Sequence, residues 1–230
     1  MGVFWYTYFV RIHHRSRTIA IRLVFIFIGT FAGAFFLLNI RFVEKNVQYW
    51  AAPGTIRTKS TLGQAIRLLP VAQGAETMPL PDNARLVVDS IGVNAPIVFG
   101  VQNNNDLIYK QLENGVVHYS ATAKPGNTGT AIVLGHSSAY PWYKGDYGAV
   151  FALLSKLNVG DRFYVQYSDG RTFIFEMESA TIFNPFTDDQ KIKDLEEVPG
   201  SNIILLSCYP VGTNYLRIAI FARQVGMNLQ

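Results

Sequence analysis

The chain of 230 residues has one cysteine, which excludes a disulfide framework and any cysteine-rich zinc site. Charge is scarce as well. Asp, Glu, Lys and Arg together make up 16% of the residues against 49% apolar, and that apolar content excludes a wholly disordered chain. No internal repeat and no low-complexity tract is present. An excess of one charge sign is also missing from the body of the chain. The formal net charge is +4, but residues 1–45 hold Arg11, Arg15, Arg17, Arg22, Arg41 and Lys45 against Glu44, a net of +5. The remaining residues carry 14 basic and 15 acidic side chains, a net of −1. The positive charge therefore describes one end of the chain, not a basic binding face, and no nucleic-acid partner is expected. At about 100–200 residues per domain, the length suggests one domain plus an appendage.

What the chain does have is a long apolar run near its start. Leu23 to Ile40 (LVFIFIGTFAGAFFLLNI) is 18 residues without a charge. That is the lower edge of what spans a bilayer, and residues 19–40 extend it, with Arg22 close enough to the end to snorkel. Arg11, His13, His14, Arg15 and Arg17 precede it, a positive flank that belongs in the cytoplasm. Two other readings compete. Ala32-Gly33-Ala34 resembles a signal-peptide cleavage site, but apolar Phe35 to Ile40 follow at once. A buried core helix would need a covering element of matching hydrophobicity, and the sequence offers none. The aromatic stretch Val3 to Val10 suits a membrane interface. The expected organisation is a basic cytoplasmic N-terminus at 1–18, a single-pass transmembrane anchor at 19–40, a juxtamembrane linker at 41–81 and an extracytoplasmic globular domain at 82–230. Within the linker, Leu62, Ala65, Ile66 and Leu69 recur at helical spacing and predict a short helix over Thr61–Leu69.

From Arg85 onward the pattern is short β-rich runs: Arg85–Asp89, Ala95–Phe99, Thr130–Gly135, Asp161–Tyr167, Arg171–Met177, Asn202–Cys208 and Tyr215–Phe221. Thr130–Gly135 is apolar enough for a strand buried on both faces. Asp169-Gly170 is a hairpin signal, and Pro210 with Gly212 marks the turn between the last two strands. One helix is predicted at Ala149–Leu157. Seven or eight short strands with few short helices predict a mainly β fold, a closed barrel or a sandwich, and about 145 residues suffice for its core.

Three residues stand where a scaffold could present chemistry. Cys208 ends an apolar strand. It reads either as a small buried hydrophobe or as a nucleophile, which would need a positive neighbour and a nearby acid or base. His136 also ends an apolar strand and reads as a hydrogen-bonded edge histidine or as that acid or base. Arg217 lies inside an apolar strand, where an unpaired burial is costly; it either snorkels out or faces a site with Cys208. A hairpin turning at Pro210–Gly212 would bring Arg217 back towards the level of the thiol. Papain-like and cell-wall-peptidase folds place the cysteine before the histidine, whereas here His136 precedes Cys208 by 72 residues. L,D-transpeptidases place the histidine first, but in a Ser-His-Gly-Cys context that is absent here.

Taken together, these segments resemble the sortase family of membrane-anchored cysteine transpeptidases. The resemblance runs from about Arg85 to Val225. It is carried by Gly115-Val116-Val117-His118-Tyr119, Pro125-Gly126, Leu134-Gly135-His136, Gly160-Asp161, Leu205-Leu206-Ser207-Cys208-Tyr209-Pro210 and Gly212-Thr213-Asn214-Tyr215-Leu216-Arg217. The chain departs from the family pattern at Ser207, usually threonine, at Ser137, often arginine, and at Gly129-Thr130 in place of Gly-Asn. The resemblance implies a closed sortase-type barrel of about eight strands, with Cys208 as nucleophile, His136 as acid and base and Arg217 as oxyanion or backbone donor. His118 matches a common non-catalytic position. The implied reaction cleaves a C-terminal sorting motif through a thioacyl-enzyme and passes the protein to an amine. Implied partners are surface proteins or pilins bearing the sorting signal, and an acceptor that is a peptidoglycan cross-bridge or a lysine. The implied location is the cell membrane. A cysteine endopeptidase and a catalytically silent, membrane-tethered barrel serving binding or assembly are the alternatives. No cofactor is expected. Some family members bind calcium, but Asp188, Asp189, Asp194, Glu196 and Glu197 lack ligand spacing and read as a solvated loop.

Overall fold

The computed structural model describes residues 19, 21–37, 40–51, 79–140, 143–188 and 190–229. The chain divides into two compact units, Met1–Ile40 and Arg41–Gln230. In the first, residues 21–37 form a helix, α1. Among the described residues no helix is long and apolar enough to cross a membrane. Residues 20, 38 and 39 of the expected anchor, the stretch Val3–Val10 and the helix expected at Thr61–Leu69 lie outside the described residues.

A second helix, α2 (Ile40–Ala51), leads into the larger unit. Its Tyr49 packs on the barrel core, and Lys156 Nζ sits 5.6 Å from the Trp50 ring centroid. The barrel itself has eight strands: β1 (Ala84–Val88), β2 (Val93–Val98), β3 (Val116–His118), β4 (Gly129–Leu134), β5 (Arg162–Tyr167), β6 (Arg171–Phe183), β7 (Ser201–Tyr209) and β8 (Leu216–Leu229). Closure runs in the order β1-β2-β3-β4-β7-β8-β6-β5. Closing the sheet leaves no unpaired edge. The pairs β2/β3 and β4/β7 are parallel, and the others are antiparallel. The mainly β, closed-barrel expectation is met.

Alternation sets the inner and outer faces. Along β1 the pattern places Ala84, Leu86 and Val88 inside, with Arg85 outside. Those residues join Val133, Phe163, Val165, Phe173, Phe175, Ile203, Leu205 and Ile220 in one core. Each Val, Leu, Ile or Phe among them, fully withdrawn from water, contributes about 1.5–3 kcal/mol. The Asp169-Gly170 hairpin forms as read. Gly170 takes φ 89°, the left-handed region that favours glycine, and its N–H donates to the Tyr167 carbonyl at 3.1 Å. β6 and β8 run well beyond their predicted ends. Register shifts at Ile174/Phe175 and Met177/Ser179 break the alternation that would mark the extension of β6.

Two sequence expectations are corrected. Ala149–Leu157 is a run of turns ending in the short 3-10 helix Leu154–Lys156. Every residue from Ala149 to Leu154 is buried, so the run has no polar face to form an amphipathic helix. The acidic stretch is not a loop throughout: Gln190–Glu196 is a helix, α4, in which Gln190 donates to Asp194 at 2.8 Å. A further helix that the sequence reading did not name, α3 (Asn105–Gln111), is capped by Asn104, whose side chain accepts from the N–H groups of Asp106 and Leu107. α3 and α4 pack on two neighbouring apolar clusters that share Tyr119 and Leu134. Ile108 and Leu112 pack with Val117 under α3, and Ile192 and Leu195 pack with Ile132 and Ile204 under α4.

His118 on β3 is 4% exposed, and its Nε2–H donates to the Ala123 carbonyl at 2.8 Å. Burial pushes its pKa below the ordinary value of 6.5, the Lys124 ammonium adds to that, and the Ala123 carbonyl and Asp82 oppose it. An unfolded chain takes up this proton near pH 6.5, whereas the folded chain takes it up only at lower pH, so acid favours unfolding in that window. His136, whose pKa is also lowered, acts with the same sign. The thermal midpoint is expected to fall as pH drops from neutral towards 5.5, and less steeply in His118→Asn. Calorimetry across that range checks it; a flat or rising wild-type curve refutes it.

Candidate active site

The last two strands settle where Cys208 and Arg217 lie. β7 and β8 are antiparallel, and the Cα partner of Cys208 is Arg217. Directly opposed residues point to the same face of a sheet with Cβ atoms about 4.5–5.5 Å apart. Both side chains are half-buried. Arg217 Nη1 donates to the carbonyls of Asn214 at 3.1 Å and Leu216 at 3.0 Å, which ties the guanidinium to its own hairpin. Nε and Nη2 make no hydrogen bond among the described residues, so donors remain for a ligand.

His136 arrives from the other side of β7. The parallel β4/β7 register ends with Leu134 opposite Leu206. Two bonds then carry it one step further: Gly135 N–H donates to the Leu206 carbonyl at 3.1 Å, and Ser207 Oγ donates to the Gly135 carbonyl at 2.7 Å. The next level is His136 beside Cys208. Alternation along both strands turns Leu134, His136, Leu206 and Cys208 to one face, and all four line one cavity of about 390 Å³ together with Arg217.

Local packing fixes the strand end that carries His136. The Phe151 N–H donates to the His136 carbonyl at 2.9 Å. A Cβ built on Gly135 would sit 2.4 Å from the Phe151 ring, so only glycine lets that ring close over the strand. The imidazole ring is flanked by two tyrosines, Tyr143 at 5.3 Å and Tyr109 of α3 at 6.1 Å between centroids. Burial holds the His136 pKa below its ordinary value.

The cavity is lined by both apolar and polar side chains. Ile132, Leu134 and Leu206 line it from the strands, Ile108 and Leu112 from α3 and its C-cap, and Ile192 from α4. Asn103, which donates to Tyr119 Oη at 2.6 Å, and Glu196 are among its polar lining. Among the described residues no group of three or more His, Cys, Asp or Glu side chains could hold a metal ion. Asp189 of the acidic stretch lies outside them.

Residues 86–225 match the family model of the sortase domain. The chain belongs to the sortase family. No curated protein matches it. Among solved structures, sortase E1 from Streptomyces coelicolor, with a tripeptide in its active site, is 23% identical with a TM-score of 0.53. That match covers 64% of this chain and 90% of that one. A lid mutant of sortase A from Corynebacterium diphtheriae is 23% identical with a TM-score of 0.51, covering 66% and 74%. Sortase C-3 from Streptococcus pneumoniae is 21% identical with a TM-score of 0.51, covering 81% and 86%. These likenesses show that the sortase barrel is shared. Of the site, the sequence named Cys208, His136 and Arg217 and did not name Tyr109 or Tyr143. The only local signal for Tyr109 was the Asn-rich cap before α3, and Tyr143 had none.

Proposed function

We propose that this sortase is a cysteine transpeptidase in which Cys208 attacks the carbonyl of a backbone amide in a C-terminal sorting motif. The thiolate sulfur bonds to the carbonyl carbon, the C–N bond breaks, and the amine fragment leaves with a proton from the His136 imidazolium. A thioacyl-enzyme remains. Neutral His136 then takes a proton from an incoming amine, which attacks the thioester and releases the thiolate. Arg217 donates to the tetrahedral oxyanion or to the substrate backbone. The observation that carries this reading is the convergence of three strand positions on one cavity: Cys208 opposite Arg217 in the β7/β8 register, and His136 one step past the β4/β7 ladder.

The lowered pKa of His136 has a definite sign here. At neutral pH it favours the neutral ring, the form that accepts the proton of the acceptor amine, and leaves the imidazolium as the minority form. The substrates on this reading are surface proteins or pilins with a sorting signal, and the acceptor is a peptidoglycan cross-bridge or a lysine. The uncharged run Leu23–Ile40 and its positive flank support a single-pass anchor with the catalytic domain outside. Anchoring would confine enzyme and membrane-tethered substrate to one surface and raise their effective concentration.

The test is to incubate the protein with a library of sorting peptides, with and without added amines, and to read the products by mass spectrometry. Ligated product is expected to replace hydrolysed product as amine is added. Hydrolysis alone under every condition would make the protein an endopeptidase, and no turnover at all would make it a silent barrel.

A further inference from the structure

We infer that Tyr143 is a positioning residue that holds the His136 imidazole at the level of Cys208, through the contact of its ring and the bond its hydroxyl makes to α3. The inference rests on the reading of His136 as acid and base. Its starting point is how the imidazole is held. Among the described residues, neither ring nitrogen of His136 makes a hydrogen bond. A histidine that serves as acid and base is commonly oriented by a hydrogen bond to one nitrogen, which leaves the other to work. Here ring contacts take that role.

The Tyr143 and His136 rings meet edge-to-face, with centroids 5.3 Å apart and planes at 85°. Tyr109 lies at 6.1 Å and 33°. An edge-to-face aromatic pair biases a side chain that would otherwise sample several rotamers.

A restraint works only if it is itself restrained, and Tyr143 is. Its Oη donates to the Leu112 carbonyl at 2.7 Å, and its N–H donates to the Tyr140 carbonyl at 2.9 Å. Leu112 is the C-cap of α3, the helix that carries Tyr109, so the bond ties both flanking rings to one element. Two glycines leave room for this arrangement. A Cβ on Gly145 would lie 2.8 Å from Tyr143 Oη and 2.6 Å from the Glu113 carbonyl oxygen; a Cβ on Gly148 would lie 2.9 Å from Tyr143 Cδ1. Side chains at either position would push the tyrosine off its seat. The segment after His136 thus folds back to clamp the residue it follows.

The test uses the full chain with Tyr143→Leu and Tyr143→Phe. Tyr143→Leu removes the ring, and Tyr143→Phe keeps the ring but cuts its tie to α3. Thioester formation from a sorting peptide is expected to slow by roughly 10- to 100-fold in Tyr143→Leu and less in Tyr143→Phe, since a displacement of about 1 Å can cost a hundredfold. KM should stay within about twofold of wild type, which marks loss of transition-state geometry rather than of binding. In NMR spectra the NOEs between the His136 and Tyr109 rings, a pair that the variants leave intact, should weaken in the Leu variant and largely persist in the Phe variant. Unchanged His136–Tyr109 NOEs in Tyr143→Leu, or a KM increase with kcat retained, overturns the inference. His136→Ala separates the two readings: full activity in it removes the acid–base role, while the His136–Tyr109 NOEs of the Tyr143 variants still decide whether Tyr143 holds the imidazole.

Discussion

Cys208→Ala is expected to leave the barrel folded and to abolish the covalent intermediate. In the wild type, incubation with a sorting peptide and quenching in acid should leave a protein species heavier by the acyl fragment, seen by mass spectrometry. The variant should show none, because the neighbouring Ser207 hydroxyl, which also lines the cavity, is engaged by the Gly135 carbonyl. The rate should fall to background, a loss of at least about a thousandfold for a nucleophile in covalent catalysis. Folding should tolerate the change. Cys208 is half-buried at the end of β7, outside the barrel core, and the lost sulfur should cost about 1 kcal/mol. A variant that still forms the adduct, or still ligates, refutes the assignment. A variant that melts far below the wild type would turn the residue into a structural one, and the melting curve therefore belongs beside the activity assay.

The cavity was partly visible in the sequence because its catalytic candidates sit at strand ends, and strand ends are marked locally. The apolar run Asn202–Cys208, the Pro210–Gly212 turn and the run around Arg217 fix a hairpin by themselves, and the observed pairing of Cys208 with Arg217 follows from it. His136 was harder. Its place beside Cys208 depends on a parallel pairing across 72 residues, and a parallel pair leaves no turn signal. β3, with three residues, is too short to show alternation, and it pairs with β2 in parallel. The run Ala149–Leu154 misled for the opposite reason. It is apolar throughout, and a segment buried on every side has no period to read. What it does is local to the site: Phe151 closes over Gly135 and binds the His136 carbonyl. Tyr109 and Tyr143 reach His136 from one helix and one loop. Such a meeting of rings is set by packing after the barrel closes, not by spacing along the chain.

Arg217→Ala is expected to produce the second large loss. Cross-strand pairing sets Arg217 opposite Cys208 on one cavity, and Nη1 is already engaged by the carbonyls of Asn214 and Leu216. Those two bonds hold the group in place before substrate arrives, so donation from Nε or Nη2 to a developing oxyanion needs no reorganisation. Removing a donor of this kind typically costs about 10²–10³ in kcat. In Arg217→Ala the fall should therefore appear chiefly in kcat, with KM changed little, if the donor serves the transition state. A rise in KM with kcat retained would instead place Arg217 on the substrate backbone in the ground state. Arg217→Lys discriminates further. Lysine keeps the charge but gathers its three donors on one rotatable ammonium in place of a planar fork, so it does not hold the Asn214 and Leu216 carbonyls and a fixed donor to the cavity in the same geometry. It should recover only a minor part of the lost rate. Full activity in Arg217→Lys would mean that charge alone matters, and activity within about twofold of wild type in Arg217→Ala would remove the arginine from the mechanism. Because Ile218 and Ala219 after it are buried in the barrel wall, both variants should keep the β7/β8 pairing and melt close to the wild type. The kinetic split can then be read as chemistry at the site.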